Sequence, residues 1–319
     1  MIQKYIHNLI DNLPDNIKKT STPEKINIIL SGGAFNGSYL VGALYFLKEM
    51  EQRKYVKVDK ISACSIGSIC ALLYHIDALD LMSELYEILL QHLKHSHNLN
   101  AFDSVFGKLR PLLPTNICET MTNRVYISYY NVKKGKKIIK CKYRNIDEIF
   151  ETIKRSCFIP IITNGEILEK NKYMDGITPY IFPCVIHKKC LYLDLFSSDK
   201  IKYIYSVTNE KTNFHRILSG LLDIHLFFIK QTNTQICSYV EDWSYSHICY
   251  NKIKTHILEY IIYCIARIYY LVKKYLSGYM RRSCVNDSII FKIISNIISN
   301  IISKIITDVY VILLEKYCF

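Results

Sequence analysis

Residues 26–50 read INIILSGGAFNGSYLVGALYFLKEM, and residues 60–74 read KISACSIGSICALLY. Each is a strand–turn–helix unit. Ile26–Leu30 is a β-branched run that ends in Ser31-Gly32-Gly33-Ala34-Phe35-Asn36-Gly37, after which Tyr39, Leu40, Ala43, Leu44, Phe46 and Leu47 recur at helical spacing. Val58–Ala63 forms the second strand, Ala63-Cys64-Ser65-Ile66-Gly67 a second tight turn, and Ser68–Tyr74 an apolar helix. Glycines at both turns let the backbone approach closely and let amide groups point at a ligand.

The second turn has the form of a nucleophile elbow. Such an elbow holds a serine on a strained strand-to-helix turn, with small residues two before and two after it. Ser65 takes the centre, Gly67 the later small position, and Ala63 the earlier one. A helix that starts just after Ser65 aims its partial positive charge at the serine oxygen, where a developing anion gains from it. The same five residues also fit an ordinary strand–helix turn with a capping serine.

The chain has 319 residues, half of them apolar, which suffices for a sizeable core in one or two domains. Its net charge of +13 suits an anionic partner such as a membrane surface, a nucleic acid or an acidic protein. Twelve cysteines are scattered without a CxxC pair or zinc spacing, and MIQKYIHNLIDNLPDN lacks the apolar run of a secretory signal. The expectation is a reduced cytoplasmic protein, able to associate peripherally with membranes, with no metal or organic cofactor. His92, His95 and His97 lack a carboxylate or cysteine at ligand spacing and read as a polar helix end.

Further on, Val125–Tyr130 and Lys137–Tyr143 flank a hairpin whose lysines, Lys133 to Lys142, form the densest basic patch in the chain. The patch fits a solvated tip that protects a sheet edge, or a contact with anionic headgroups. Asn145–Ser156 reads as a helix, and the segment from Glu166 to Tyr173 leads a strand into Asp175-Gly176. A buried elbow serine needs a base, and Asp175 sits at a strand end, where sites in α/β sheets gather.

The ordered set SGGAFNGSYLVGAL, ACSIGS, RSCFIPIITNG and YMDGITPYIFP resembles the patatin-like phospholipases over about Ile26 to Phe196. That resemblance implies a three-layer α/β/α sheet domain and a lipid acyl hydrolase, phospholipase A-like, with a Ser–Asp dyad. It implies Ser65 as nucleophile, Asp175 as base, an oxyanion hole from the amides of Gly32, Gly33 and Ala34, and supporting roles for Gly37, Ala63, Gly67 and Gly176. The substrate would be a phospholipid or neutral lipid at a membrane surface, anionic by the charge argument, with no nucleic-acid partner. Three positions depart from the family pattern: Ala34 for the third loop glycine, Asn36 for an arginine or lysine, and Ile177 after Asp-Gly. Asn36 removes a positive charge from the loop.

Rival readings follow from the same residues. His187, His215 and His225 follow Asp175 and could complete a Ser…Asp…His triad. A nucleotide-binding loop is the weaker fit, because the spacing is G-G-x-x-x-G. A catalytically impaired lipid- or membrane-binding protein that keeps the fold is the non-enzymatic alternative.

The expected organisation is an N-terminal helix and linker over 1–25, a catalytic domain over 26–205 whose last strand lies in Leu191–Phe196, and an all-helical region over 206–319. In that last region Ile293, Ile294, Ile297, Ile298, Ile301, Ile302, Ile305 and Ile306 repeat with a period of four. Such a stripe fits a packed helical cap, an interfacial membrane helix or a protein-partner surface.

Overall fold

The computed structural model describes residues 2–18, 22–160, 162–183, 188–196, 200 and 212–253, and scattered positions up to 267. The isoleucine repeat and His187 lie outside the described residues.

Helices α1 (Ile2–Asp11) and α2 (Asp15–Lys18) precede strand β1 (Glu24–Leu30), helix α3 (Gly37–Gln52), strand β2 (Val56–Cys64) and helix α4 (Ile66–His75). Then come α5 (Met82–Ser96), α6 (Phe102–Leu109), α7 (Ile117–Met121), β3 (Val125–Asn131), β4 (Lys136–Lys140) and α8 (Ile146–Ser156). The described chain closes with β5 (Tyr173–Asp175), β6 (Lys189–Leu193), α9 (Phe214–Lys230) and β7 (Cys237–Tyr239), and helix resumes over 245–253. The two units quoted at the outset are thus β1–α3 and β2–α4.

The sheet runs β4-β3-β2-β1-β6-β7, with β5 added against β3. β1 pairs in parallel with β2 on one side and β6 on the other. The strand order therefore reverses at β1, and the crevice beyond its carboxyl end is where open α/β sheets bind ligands. β1 is buried along most of its length, as a central strand with both faces covered must be. Its alternation divides the layers: Ile26, Ile28 and Leu30 join the main helical core, while Ile29 packs with Phe182, Val240 and Trp243 on the opposite face. This is a three-layer α/β/α arrangement, as expected.

The sheet continues past residue 205. β7 pairs antiparallel with β6, Leu191 opposite Tyr239 and Leu193 opposite Cys237. Leu191–Phe196 is therefore not the last strand, and the stretch after 206 is not all helical. The reason is local: three residues suffice to extend an edge already formed, and Cys-Ser-Tyr carries no alternation that would announce it. α9 is anchored just as firmly. A methyl group at Gly42 of α3 would lie 1.9 Å from the Ile217 carbonyl oxygen, and one at Gly220 of α9 would lie 1.9 Å from that of Tyr39. The two helices cross at backbone contact, which only glycine allows.

β5 determines how the site assembles. β2 pairs with β3 as far as Cys64 opposite Ser128, and then leaves the sheet at Ser65. β5 takes over the vacated edge of β3, running antiparallel, with Asp175 opposite Tyr129. The last residue of β5 is thereby brought to the point where β2 ends.

Candidate active site

Ser65 joins β2 to α4 with φ 52° and ψ −135°, a backbone region costly for any residue with a side chain. Three contacts hold it there. Its amide donates to Ser156 Oγ at 2.9 Å, and that hydroxyl donates to the Ser128 carbonyl at 2.7 Å. On the helix side the Ser68 amide donates to the Ser65 carbonyl at 2.8 Å. Gly67 lets α4 start this close to β1, since a methyl there would lie 2.8 Å from the Ser31 carbonyl oxygen. Ala63 is buried in β2 between Leu30 and Ile127, where its small side chain fits the sheet interior.

The loop after β1 lies directly over this turn. A methyl group on Gly32 would stand 2.9 Å from Ser65 Cβ. The loop is fastened to β6: the Ser31 amide donates to the Leu193 carbonyl, and the Leu195 amide donates to Ser31 Oγ. A 3-10 turn over Ala34–Asn36 then leads into α3, whose first residue, Gly37, packs beneath Ile66. Ala34 keeps a positive φ of 43° in the place of the family's third glycine, so the substitution conserves the loop's path at some strain. The Gly32 amide points at Cys64 Sγ, a weak acceptor, and burial pushes that thiol well up.

Asp175 is buried at the end of β5, its own amide donating to the Phe158 carbonyl at 2.8 Å. Burial pushes its carboxyl up to about 6, against the Ser65 hydroxyl, the Ile177 amide and the Lys137 ammonium, all of which favour the anion. The Ile177 amide donates to Oδ1 at 2.7 Å. Gly176 is obligatory here, because a methyl group would fall 2.2 Å from the Ser128 carbonyl oxygen. Ile177 takes φ 62°, a strained value for a β-branched residue. Ser65, Asp175 and the glycine loop are thus brought together from three strand ends.

Of the histidines proposed for a triad, His215 and His225 do not join them. Among the described residues no histidine acts on the Asp175 carboxyl; His225 packs edge-on to Phe46, and His215 is exposed on α9. The ring nitrogens of His92 and His95 meet the Asn98 side chain and the Gln91 carbonyl.

Beside Ser65 an apolar cleft opens between the loop, α4, α5 and α6. Phe35, Ile69, Met82, Tyr86, Leu99 and Phe102 contribute to its walls, which contain no charged group. Phe35 and Tyr86 meet edge to face at 5.4 Å and close one end. Such a cleft accepts hydrocarbon and excludes water from one side of the serine.

Ser156 and Arg216, the partner of Asn36, escaped the sequence. Ser156, the brace on the Ser65 amide, lies in RSCFIP, where a fully buried helix-end serine has no local signature. Asn36 is fully buried, and its side-chain oxygen accepts from Arg216 Nη1 of α9 at 2.8 Å. The charge absent from position 36 is matched by a guanidinium from elsewhere in the chain.

Comparison with known proteins agrees with this fold. Residues 28–184 match the family model described as patatin-like phospholipase. The chain is 23% identical to mouse omega-hydroxyceramide transacylase over 190 residues, covering 56% of this chain and 31% of that protein. It is 25% identical to mouse 1-acylglycerol-3-phosphate O-acyltransferase Pnpla3 over 161 residues, covering 47% of this chain and 38% of that protein. The matched region thus spans about a third of each curated relative. By the order of its motifs, its sheet and this match, the chain carries a patatin-like phospholipase domain over residues 28–184.

Proposed function

We propose that the protein is a lipid acyl hydrolase working through a Ser65–Asp175 dyad and an acyl-serine intermediate. The observation that carries this reading is a strained serine hydrogen-bonded to a buried carboxyl whose pKa is about 6, beside an apolar cleft. Asp175 accepts the Ser65 proton as Oγ attacks the ester carbonyl. The tetrahedral oxyanion forms against the amides of the 32–34 loop, with Gly33 and Ala34 supplying donors and Gly32 sharing its amide with Cys64. Collapse expels the alcohol, which takes the proton from Asp175. Water then attacks the acyl-serine and gives a proton to Asp175; collapse breaks the ester bond to Oγ, which takes that proton back as the fatty acid leaves. A carboxyl near 6 is ionised at neutral pH yet more basic than an ordinary aspartate, as this task requires.

A second reading keeps the same intermediate but replaces water with an acceptor alcohol. The printed names of both mouse relatives, a transacylase and an acyltransferase, favour testing it. The impaired lipid-binding alternative is less well supported, because the chain keeps both dyad residues and two of the three loop glycines, with the small Ala34 at the third.

Access to lipid would come from the β3–β4 hairpin and the helix beyond β7. Lys133, Lys134 and Lys136 are exposed at the hairpin tip, and Tyr263 packs beside Gly135. Tyr250 and Ile253 on helix 245–253, and Ile257 and Tyr260 at described helical positions after it, are exposed at spacings of three and four residues. Cations beside an apolar stripe suit peripheral contact with anionic bilayers. No described helix is long and apolar enough to cross a membrane. The described cysteines are free thiols, in keeping with a cytoplasmic setting. A protein partner at the C-terminal region over 206–319 is a separate proposal, tested by its own binding measurement.

The test is fatty-acid release from phosphatidylglycerol-containing vesicles in EDTA, with and without added monoacylglycerol as acceptor. Release by the wild type that is lost in Ser65→Ala and Asp175→Asn supports the dyad. Acylated acceptor in place of free acid would move the protein to the transferases. Vesicle binding without turnover of any lipid class would leave only the binding module.

A further inference from the structure

Arg216 is fully buried, the largest such side chain in the described protein. A guanidinium is expensive to take out of water, and it is kept inside when it is hydrogen-bonded and has a task. It projects from the first turn of α9, outside the region matched by the family model. Nη1 donates to Asn36 Oδ1 at 2.8 Å, and Asn36 Nδ2 donates to the Lys200 carbonyl at 2.9 Å. The Asn36 backbone amide in turn donates to the Gly33 carbonyl at 2.8 Å, closing the turn over the strained Ala34. A second link lies one turn away, where Asn213 Nδ2 donates to Ser38 Oγ at 3.0 Å. α9 itself cannot drift, being held at backbone contact through Gly42 and Gly220.

We infer that Arg216 is a positioning residue for the oxyanion loop, supplying from α9 the cation that the loop itself lacks at Asn36. The inference rests on the Ser65–Asp175 reading. Arg216 touches no reacting atom; it acts through Asn36 and the Gly33–Asn36 turn. A charged hydrogen bond fixes the orientation of the Asn36 amide, which fixes the turn, which aims the Gly33 and Ala34 amides. The positive charge one hydrogen bond from the loop also favours the oxyanion in a site that excludes water. Strain at Ala34 gives the loop a reason to relax out of position once the brace is gone.

The test compares wild type, Ser65→Ala, Arg216→Met, Asn36→Arg and the exchange Asn36→Arg with Arg216→Asn. Initial rates on p-nitrophenyl octanoate give kcat and KM, the rate of Ser65 phosphonylation by a fluorophosphonate is measured alongside, and thermal melting checks folding. Arg216→Met is expected to lower kcat and phosphonylation about 10- to 30-fold with KM within about twofold, less than loss of a direct oxyanion donor. The exchange is expected to recover to within about threefold of wild type, because the cation then comes from the loop side. If Arg216→Met does not fold, Asn36→Ala decides in its place, and the same loss in kcat at unchanged KM is expected. Wild-type kcat in a folded Arg216→Met or Asn36→Ala, or an exchange as impaired as Arg216→Met, would overturn the inference while leaving the dyad standing. A wild type no more active than Ser65→Ala would overturn the dyad reading, and this inference with it.

Discussion

Two turns of the site carry the same backbone strain for different ends. At the elbow the residue with positive φ is Ser65, whose side chain is the proposed nucleophile. At the second turn it is Ile177, whose amide faces the Asp175 carboxylate while its side chain packs beside Val132, Ile167 and Met174. The elbow is braced by polar contacts, above all the Ser156 hydroxyl on the Ser65 amide. The 175–177 turn is braced by apolar packing and by an asparagine-like loop closed on its own aspartate. Strain at the first turn therefore depends on hydrogen bonds that can be cut singly, and strain at the second on packing spread over many atoms.

The sharpest way to break this contrast is to remove the reacting groups. Ser65→Ala should lower kcat at least about 10³-fold, as removal of a nucleophile does in other serine hydrolases, with stability little changed. Retained turnover above that level, measured as fatty-acid release, would show that the elbow's strain serves no chemistry.

Asp175→Asn should cost a similar factor in rate and have the opposite effect on stability. The carboxyl is raised from 3.8 to about 6 in the folded protein, so its ionisation opposes folding. That cost is absent at low pH, appears as pH rises through the interval between those values, and is complete above about 6. Asparagine should therefore stabilise the fold at pH 7.5 by up to about 3 kcal/mol, with the gain vanishing near pH 4, read from denaturant midpoints at both pH values. In the wild type the same titration should make kcat/KM fall about tenfold per pH unit below about 6, since only the anion accepts the proton.

Ser156→Ala tests the polar brace alone. It leaves the Ser65 amide without its acceptor, and we expect about a tenfold loss in kcat with about 1–2 kcal/mol lost in stability. Equal activity in this variant would mean that the Ser68 contact and the glycine packing suffice. Ile177→Gly should have the smallest effect. Relief of about 1–2 kcal/mol of backbone strain is offset by lost packing and by glycine's greater freedom when unfolded. Activity within about threefold of wild type, and a stability change below about 1 kcal/mol, are the expected readings. A large loss in rate would show that the Ile177 side chain, and not only its amide, holds the base.

The first half of the sheet was legible because its signals are local. Ile26–Leu30 and Val58–Ala63 are β-branched runs that end in glycine turns, and each residue reports its own conformation. The hairpin around Gly135 and the helix capped by Asn145 were legible for the same reason. Asp175 stood out only as a strand-end Asp-Gly until the family resemblance gave it a role, and its placement depends on β5 completing the edge of β3 from more than forty residues away. α9 and β7 were less legible still. Gly220 looks like a flaw in a helix until the Tyr39 carbonyl is seen against it. Arg216 looks like a surface charge on an amphipathic segment, since nothing local distinguishes a guanidinium that points inward. Asn36 read as a lost charge because the compensating residue lies 180 positions later.

The way β5 fills the edge left by β2 bears on how the chain is made. During synthesis from the N-terminus, Ser65 leaves the ribosome long before Asp175, and longer still before Arg216. The elbow can form early, but its base cannot be present until β3 has docked and β5 has returned along it. A partly made or partly unfolded chain therefore carries a serine with nothing to take its proton. On the proposed dyad, acquisition of reactivity toward a fluorophosphonate would then report completion of the sheet, and a nascent hydrolase would be harmless to nearby lipid until it is whole.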